Sequence, residues 1–253
     1  MIRDNPRDRT SEDEPVINPT PKKLLLMFMD ESAKQLGIPV FSDVDMLLNQ
    51  RKNLILFAAI PNGIKSAYDN TIEVEYLKNV ILAALESNQK VVLAYEALSD
   101  PSIKKVINDP EKLRLFLNIL NNDNNLPETV EKELNMIIEI EEKYKARFEV
   151  EPIGLPPEAV ETLSKEELGA YRRNIIVEEI LDLLKKYNDT ITVLFYTGTG
   201  IISVLDIFDE IEEDMKEGKG IINREDIANI CVFVPPNVST PPKNQDLRGT
   251  KRE

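Results

Sequence analysis

Residues 73–88, EVEYLKNVILAALESN, followed almost at once by residues 90–96, KVVLAYE, decide the fold. The first segment sets Val74, Leu77, Val80, Ile81, Ala84 and Leu85 three and four residues apart, the spacing that gathers them on one face of a helix. The second is a short, nearly unbroken apolar run, as expected of a strand covered on both sides. Upstream, residues 53–60 (NLILFAAI) supply a strand before that helix. Downstream, residues 146–151 (ARFEVE), 190–197 (TITVLFYT) and 229–234 (NICVFV) supply three more. Strand, helix, strand in this order predicts an α/β fold with a mostly parallel central sheet flanked by helices on both faces.

Two further helical features follow. Ser164-Lys165-Glu166-Glu167 has the spacing of a capping box, in which the Ser hydroxyl accepts from the backbone three residues on and the Glu reaches back; it opens a helix running to about Tyr187. Between the second and third strands the chain has room for three helices, so a helical insertion is expected at about 99–145. The run Asn121 to Asn125 reads as a turn between helices. Residues 1–20 mix alternating charges with three prolines and read as a disordered tail, as do the proline-broken polar residues 237–253, leaving 21–236 as a single α/β domain.

Composition narrows the function. Thirty-one basic against forty-five acidic residues leave a net charge of −14, which repels nucleic acid and anionic lipid in the absence of a basic patch. The apolar run Leu24 to Met29 is cut by Asp30 and Glu31, too early for a bilayer span, and the first residues are too polar for a secretory signal. A cytoplasmic protein with neither nucleic-acid nor membrane partner is expected. The chain has no histidine, so imidazole-based triads, His-ligated zinc and imidazole proton shuttling are excluded within it. Its one cysteine, Cys231, lies in an apolar run and reads as a small core residue. No cofactor and no metal are expected.

In an open parallel sheet, ligands bind where the loops leaving the carboxyl ends of the strands converge. The candidates there are Asn62 after the first strand, Glu96 at the end of the second, and Gly198, Thr199 and Gly200 after the fourth. A Glu closing an apolar strand needs a cationic partner, and Arg173, on the apolar stripe that continues through Val177, Ile180 and Leu184, is the natural one. Glu96 is also the candidate catalytic group, with Glu149 or Glu151 as its partner in a carboxylate pair. The two glycines around Thr199 read first as a tight turn requiring positive φ and second as an anion cradle; neither a full dinucleotide fingerprint nor a P-loop is present. The acidic run from Asp206 to Glu217 interleaves with Ile207, Phe208 and Ile211 and reads as a solvated helix face.

With these residues placed, the layout resembles the superfamily that joins erythromycin esterases, the ChaN-like haem-uptake lipoproteins and the TIKI/TraB-type proteases. The resemblance rests on Glu96 in Leu93-Ala94-Tyr95-Glu96 and on the step Arg173-Asn174 early in a long late helix, and covers roughly residues 50–205. Where the superfamily has Gly-Glu-x-His this chain reads Ala58-Ala59-Ile60-Pro61, and where it has Gly-x-x-His it reads Gly198-Thr199-Gly200-Ile201. The resemblance therefore implies a catalytically silent scaffold, a natural pseudoenzyme or an engineered variant, with a small-ligand crevice at the carboxyl edge of the sheet. Two other functions are compatible with the residues: a hydrolase working with carboxylates, with or without a divalent metal, and an acidic protein-interaction module using residues 126–145 and 206–217.

Overall fold

A computed structural model describes residues 21–50, 52–59, 70–87, 89–96, 101–122, 128–154, 162–187, 191–197, 200–218, 220 and 222–236. The two terminal segments read above as tails lie outside the described residues. In chain order the elements are α1 (Pro21–Leu36), β1 (Val40–Phe41), α2 (Val44–Asn49), β2 (Leu54–Phe57), α3 (Asn70–Glu86) and β3 (Lys90–Glu96). Then come α4 (Pro101–Val106), α5 (Pro110–Asn122), α6 (Glu128–Tyr144), β4 (Phe148–Ile153), α7 (Lys165–Lys186), β5 (Ile191–Tyr196), α8 (Ile201–Glu217), α9 (Arg224–Ala228) and β6 (Ile230–Phe233). The six strands form one sheet in the order β1-β6-β2-β5-β3-β4, with every neighbouring pair parallel.

The apolar runs are continuous because both sides of the sheet are covered. Ile55, Phe57, Val91, Leu93, Tyr95, Val150, Leu194, Tyr196, Cys231 and Phe233 pack with α2 through α6. The alternating set, Leu54, Leu56, Val92, Ala94, Val193, Phe195, Ile230 and Val232, packs with α1, α7, α8 and α9. Connections β1 to β2, β2 to β3 and β3 to β4 move one way across the sheet over the first face. Connections β4 to β5 and β5 to β6 return over the second, the division that crossovers of a single hand require.

The helical insertion is α4, α5 and α6, all on the first face. The capping box of α7 is formed: Glu167 N–H donates to Ser164 Oγ at 3.4 Å and Ser164 N–H to Glu167 Oε2 at 2.9 Å. Three boundaries differ from the sequence reading. A sixth strand, β1, pairs Val40 with Val232; two residues are too few to show a period. Strand β2 ends at Phe57, short of the expected Ile60, which lies outside the described residues: Ala58 N–H still donates to Phe233 O of β6 at 2.9 Å, but Ala59 N–H turns back to Phe57 O at 3.0 Å. Strand β4 starts at Phe148 and passes through Pro152 to Ile153, which an edge strand tolerates since its outward N–H has no ladder partner to lose. The remaining outward edge is closed at Val150, whose N–H and C=O both bond the side-chain amide of Asn108, at 3.0 and 2.7 Å.

The acidic segment is α8, with Ile207, Phe208 and Ile211 in the core as expected, but its acidic residues do not all face solvent. Asp214 is buried and accepts from the Ile222 backbone N–H at 2.9 Å, which corrects the reading of a wholly solvated face. Helix periodicity places residue 214 three beyond Ile211, on the same stripe.

Candidate functional site at the carboxyl edge of the sheet

Strand β5 is followed by a helix on one face, whereas its neighbours β2 and β3 are followed by helices on the other. The helices that follow these three ends thus lie on opposite faces, and the carboxyl edge at such a switch is where an open parallel sheet holds ligands. Glu96 closes β3 there. Its carboxylate is gripped bidentately by Arg172 of α7, Nε to Oε1 and Nη2 to Oε2, both at 2.5 Å, with the side chains 27% and 16% exposed. Two parallel charge-assisted bonds in a half-buried setting occupy both oxygens along one side.

A cation on Glu96 among the described side chains is Arg172, the residue before the one that periodicity favours. Both positions are one turn ahead of buried residues, Ile176 for Arg172 and Val177 for Arg173, so spacing alone does not separate them. The side chain of Arg173 lies outside the described residues, as do Asn62, Gly198 and Thr199. Gly154, just past β4, abuts Glu96: at φ 112° it has no Cβ, and one built there would lie 3.4 Å from Glu96 Cγ. Its N–H donates to Glu179 Oε2 of α7 at 2.7 Å, so a second glutamate binds the backbone at this corner.

Gly200 has the positive φ that the sequence predicts, 46°, and a close approach besides. An added Cβ would lie 2.1 Å from the carbonyl oxygen of Ala59, at the end of β2. Among the described residues of this turn, the N–H groups of Gly200 and Ile201 are already engaged. Gly200 N–H faces Thr197 O at 3.1 Å and Thr197 Oγ1 at 3.0 Å, and Ile201 N–H donates to Ala59 O at 2.9 Å. These two N–H groups close the turn against β2 rather than standing ready for an anion.

On the opposite face of the same edge lies a site the sequence reading missed. Tyr95 and Tyr196 stack with ring centroids 6.2 Å apart and planes 6° from parallel. Both hydroxyls donate to Glu133 of α6, Tyr95 to Oε2 at 2.7 Å and Tyr196 to Oε1 at 2.6 Å, and all three residues are buried. Burial raises the Glu133 carboxyl above its ordinary range, opposed by the two phenol bonds, while burial and then the Glu133 charge push both phenols well up. The available signal was the pair of tyrosines near strand ends, each on the inward-facing register, since a buried phenol hydroxyl needs a partner.

Each carboxylate of the expected pair has a cation of its own. Glu149 bonds Lys90 at 2.9 Å and Glu151 bonds Lys186 at 3.3 Å, so Glu96, Glu149 and Glu151 each face their own cation. Among the described residues no three Asp, Glu, His or Cys side chains are grouped so as to hold a metal ion. Cys231 is buried, its thiol pushed up to about 12 by burial, which leaves it an inert core residue as read from sequence. Away from the edge, a groove of about 520 Å³ between α7 and α8 is lined by Asn174, Glu178, Asp182, Glu210 and Glu213. Among the described residues no helix is long and apolar enough to cross a membrane. No protein-family model, no curated protein and no solved structure matches this chain.

Proposed function

We infer that this chain is a non-catalytic α/β scaffold whose carboxyl-edge crevice receives a small ligand. One observation carries the reading: the carboxylates best placed for chemistry are engaged by the protein itself, Glu96 by the Arg172 fork and Glu133 by two tyrosines, in a chain without histidine. A general acid or base must exchange a proton with substrate, and a carboxylate whose two oxygens are both taken by a guanidinium fork is occupied. The likeness to the erythromycin esterase, ChaN-like and TIKI/TraB superfamily supports the same reading, since it rests on Glu96 and the step Arg173-Asn174, while the histidines are replaced. The crevice is then bounded by Glu96, Gly154 and the Gly200 turn.

The test has two parts. Purified protein is assayed with p-nitrophenyl acetate and a fluorogenic peptide, beside Glu96→Gln; both are expected to match buffer, and turnover that Glu96→Gln abolishes would establish the carboxylate hydrolase instead. Amide chemical shifts are then followed against a fragment library. Perturbations gathered on Glu96, Gly154 and Gly200 are the expected result, and a library that perturbs none of them removes the ligand from the proposal. A second reading, an acidic interaction module, is favoured by the groove between α7 and α8, where Glu178, Asp182, Glu210 and Glu213 present like charge to a basic partner.

A further inference from the structure

The amino edge of the sheet, at the other end of the strands from Glu96, carries a separate concavity. A cleft of about 290 Å³ lies where β3 and β4 begin and α6 ends, and Lys90, Asn108, Glu141, Lys145 and Glu149 supply its polar lining. Three of these five are occupied within the fold. Lys90 pairs with Glu149 at 2.9 Å, and the Asn108 amide is bonded through both its nitrogen and its oxygen to the backbone of Val150. The other two are not. Glu141 is 5% exposed, and its enclosed Oε2 has no hydrogen-bond partner. Buried polar groups are as a rule partnered, so an unpartnered carboxylate in the wall of a cleft marks a place for a donor from outside the chain. Lys145, exposed just past the end of α6, makes no ion pair or hydrogen bond among the described residues, although its charge acts on Glu141.

We propose that this cleft binds a small zwitterion, a free α-amino acid with a short side chain, whose ammonium donates to Glu141 and whose carboxylate meets Lys145. Charge selects the ligand. The two lysines and two glutamates of the lining sum to zero, so an amine alone would add a third cation, and an anion alone would leave Glu141 without a donor. A zwitterion brings both signs and leaves the sum unchanged. Lys145 carries its ammonium on a flexible four-carbon stem, which lets the cation come to a carboxylate seated beside Glu141. A metal ion does not meet the same need, because among the described residues no three Asp, Glu, His or Cys side chains are grouped to hold one. Pro110 and Phe148 make part of the wall apolar, a seat for a short side chain, and the volume is at the low end of those that hold small ligands.

Amide chemical shifts of the full chain test this at pH 8, where Glu141, its carboxyl pushed up to about 7, is ionised. L-alanine is titrated to about 50 mM against a sodium chloride blank, and saturable shifts gathered around Lys90, Lys145 and Phe148 are expected, half-complete near about 1 mM. Ethylammonium chloride and sodium propionate, which are alanine without its carboxylate and without its amine, are expected to bind at least about 5-fold more weakly. Glu141→Gln weakens alanine about 10-fold or more, and Lys145→Met about 5-fold. Glu141→Gln removes the charge and keeps the shape, and Lys145 is exposed, so both variants are expected to stay folded in circular dichroism melts and neither loss reads as unfolding. No saturable shift at the cleft, or alanine binding that Glu141→Gln leaves intact, overturns the proposal. Ethylammonium that binds as tightly as alanine, with alanine binding indifferent to Lys145→Met, overturns the zwitterion in favour of a simple amine.

Discussion

Glu141 on α6 shows how one side chain couples the fold to pH. The residue is 5% exposed and its Oε2 has no hydrogen-bond partner. Burial pushes its carboxyl up to about 7; the charge of Asp109 adds to this and that of Lys145 opposes it. The folded state therefore binds the proton more tightly than the unfolded chain, whose value is near 4.5. Below about pH 4.5 the group is neutral in both states and costs nothing; between 4.5 and 7 stability is lost as pH rises; above 7 the loss is constant, at most about 3 kcal/mol. Glu141→Gln should keep the neutral shape at every pH. Urea denaturation of parent and variant at pH 5 and pH 8 is expected to show the variant gaining on the parent by about 1–3 kcal/mol at the higher pH. Curves that stay parallel across the two conditions would show that Glu141 is not ionising against the fold.

At the scale of elements, the β5 to α8 turn is the point where sequence and structure agree most closely on a mechanism. A glycine was expected for positive φ, and the structure adds a reason that no single-strand pattern contains: α8 begins against the end of β2, close enough that Gly200 nearly touches the Ala59 carbonyl. Gly200→Ala therefore meets backbone strain and a steric clash together, and is expected to lower stability by more than about 2 kcal/mol in urea denaturation. A loss below about 0.5 kcal/mol, the range of a neutral surface change, would mean that the turn has another way to close. The five long strands, the insertion and the α7 cap were legible because each rests on local periodicity or capping chemistry. What was not legible depends on distant partners. Two-residue β1 exists only as the pairing of Val40 and Phe41 with β6. That Arg172 reaches Glu96 follows from how α7 packs against the sheet, which residue spacing does not fix. Glu133 joins Tyr95 and Tyr196 from 38 and 63 residues away, so its role had no signature within its own helix.

For the whole molecule the governing quantity is the imbalance of charge. The ion pairs Lys78 with Glu139, Arg114 with Glu142, and Lys216 with Glu212 lie on the surface, where water and salt leave them little net effect. Against them stands an excess of fourteen negative charges, part of it concentrated where α7 and α8 set Glu178, Asp182, Glu210 and Glu213 around one groove. Self-repulsion of this kind is long-ranged and opposes the compact state. Raising sodium chloride from 0.05 to 0.5 M shortens the screening length from more than 10 Å to less than 5 Å, roughly, which weakens repulsion across the groove more than it weakens contacts already at bonding distance. The Arg172 to Glu96 fork, half-buried, is the least affected of the pairs. The urea midpoint is therefore expected to rise with salt at pH 7.5, with the larger part of the rise removed in a Glu210→Gln, Glu213→Gln variant. A midpoint that falls with salt would mean that the attractive pairs outweigh the excess, and that the acidic faces are stabilised within the fold rather than held apart for a basic partner.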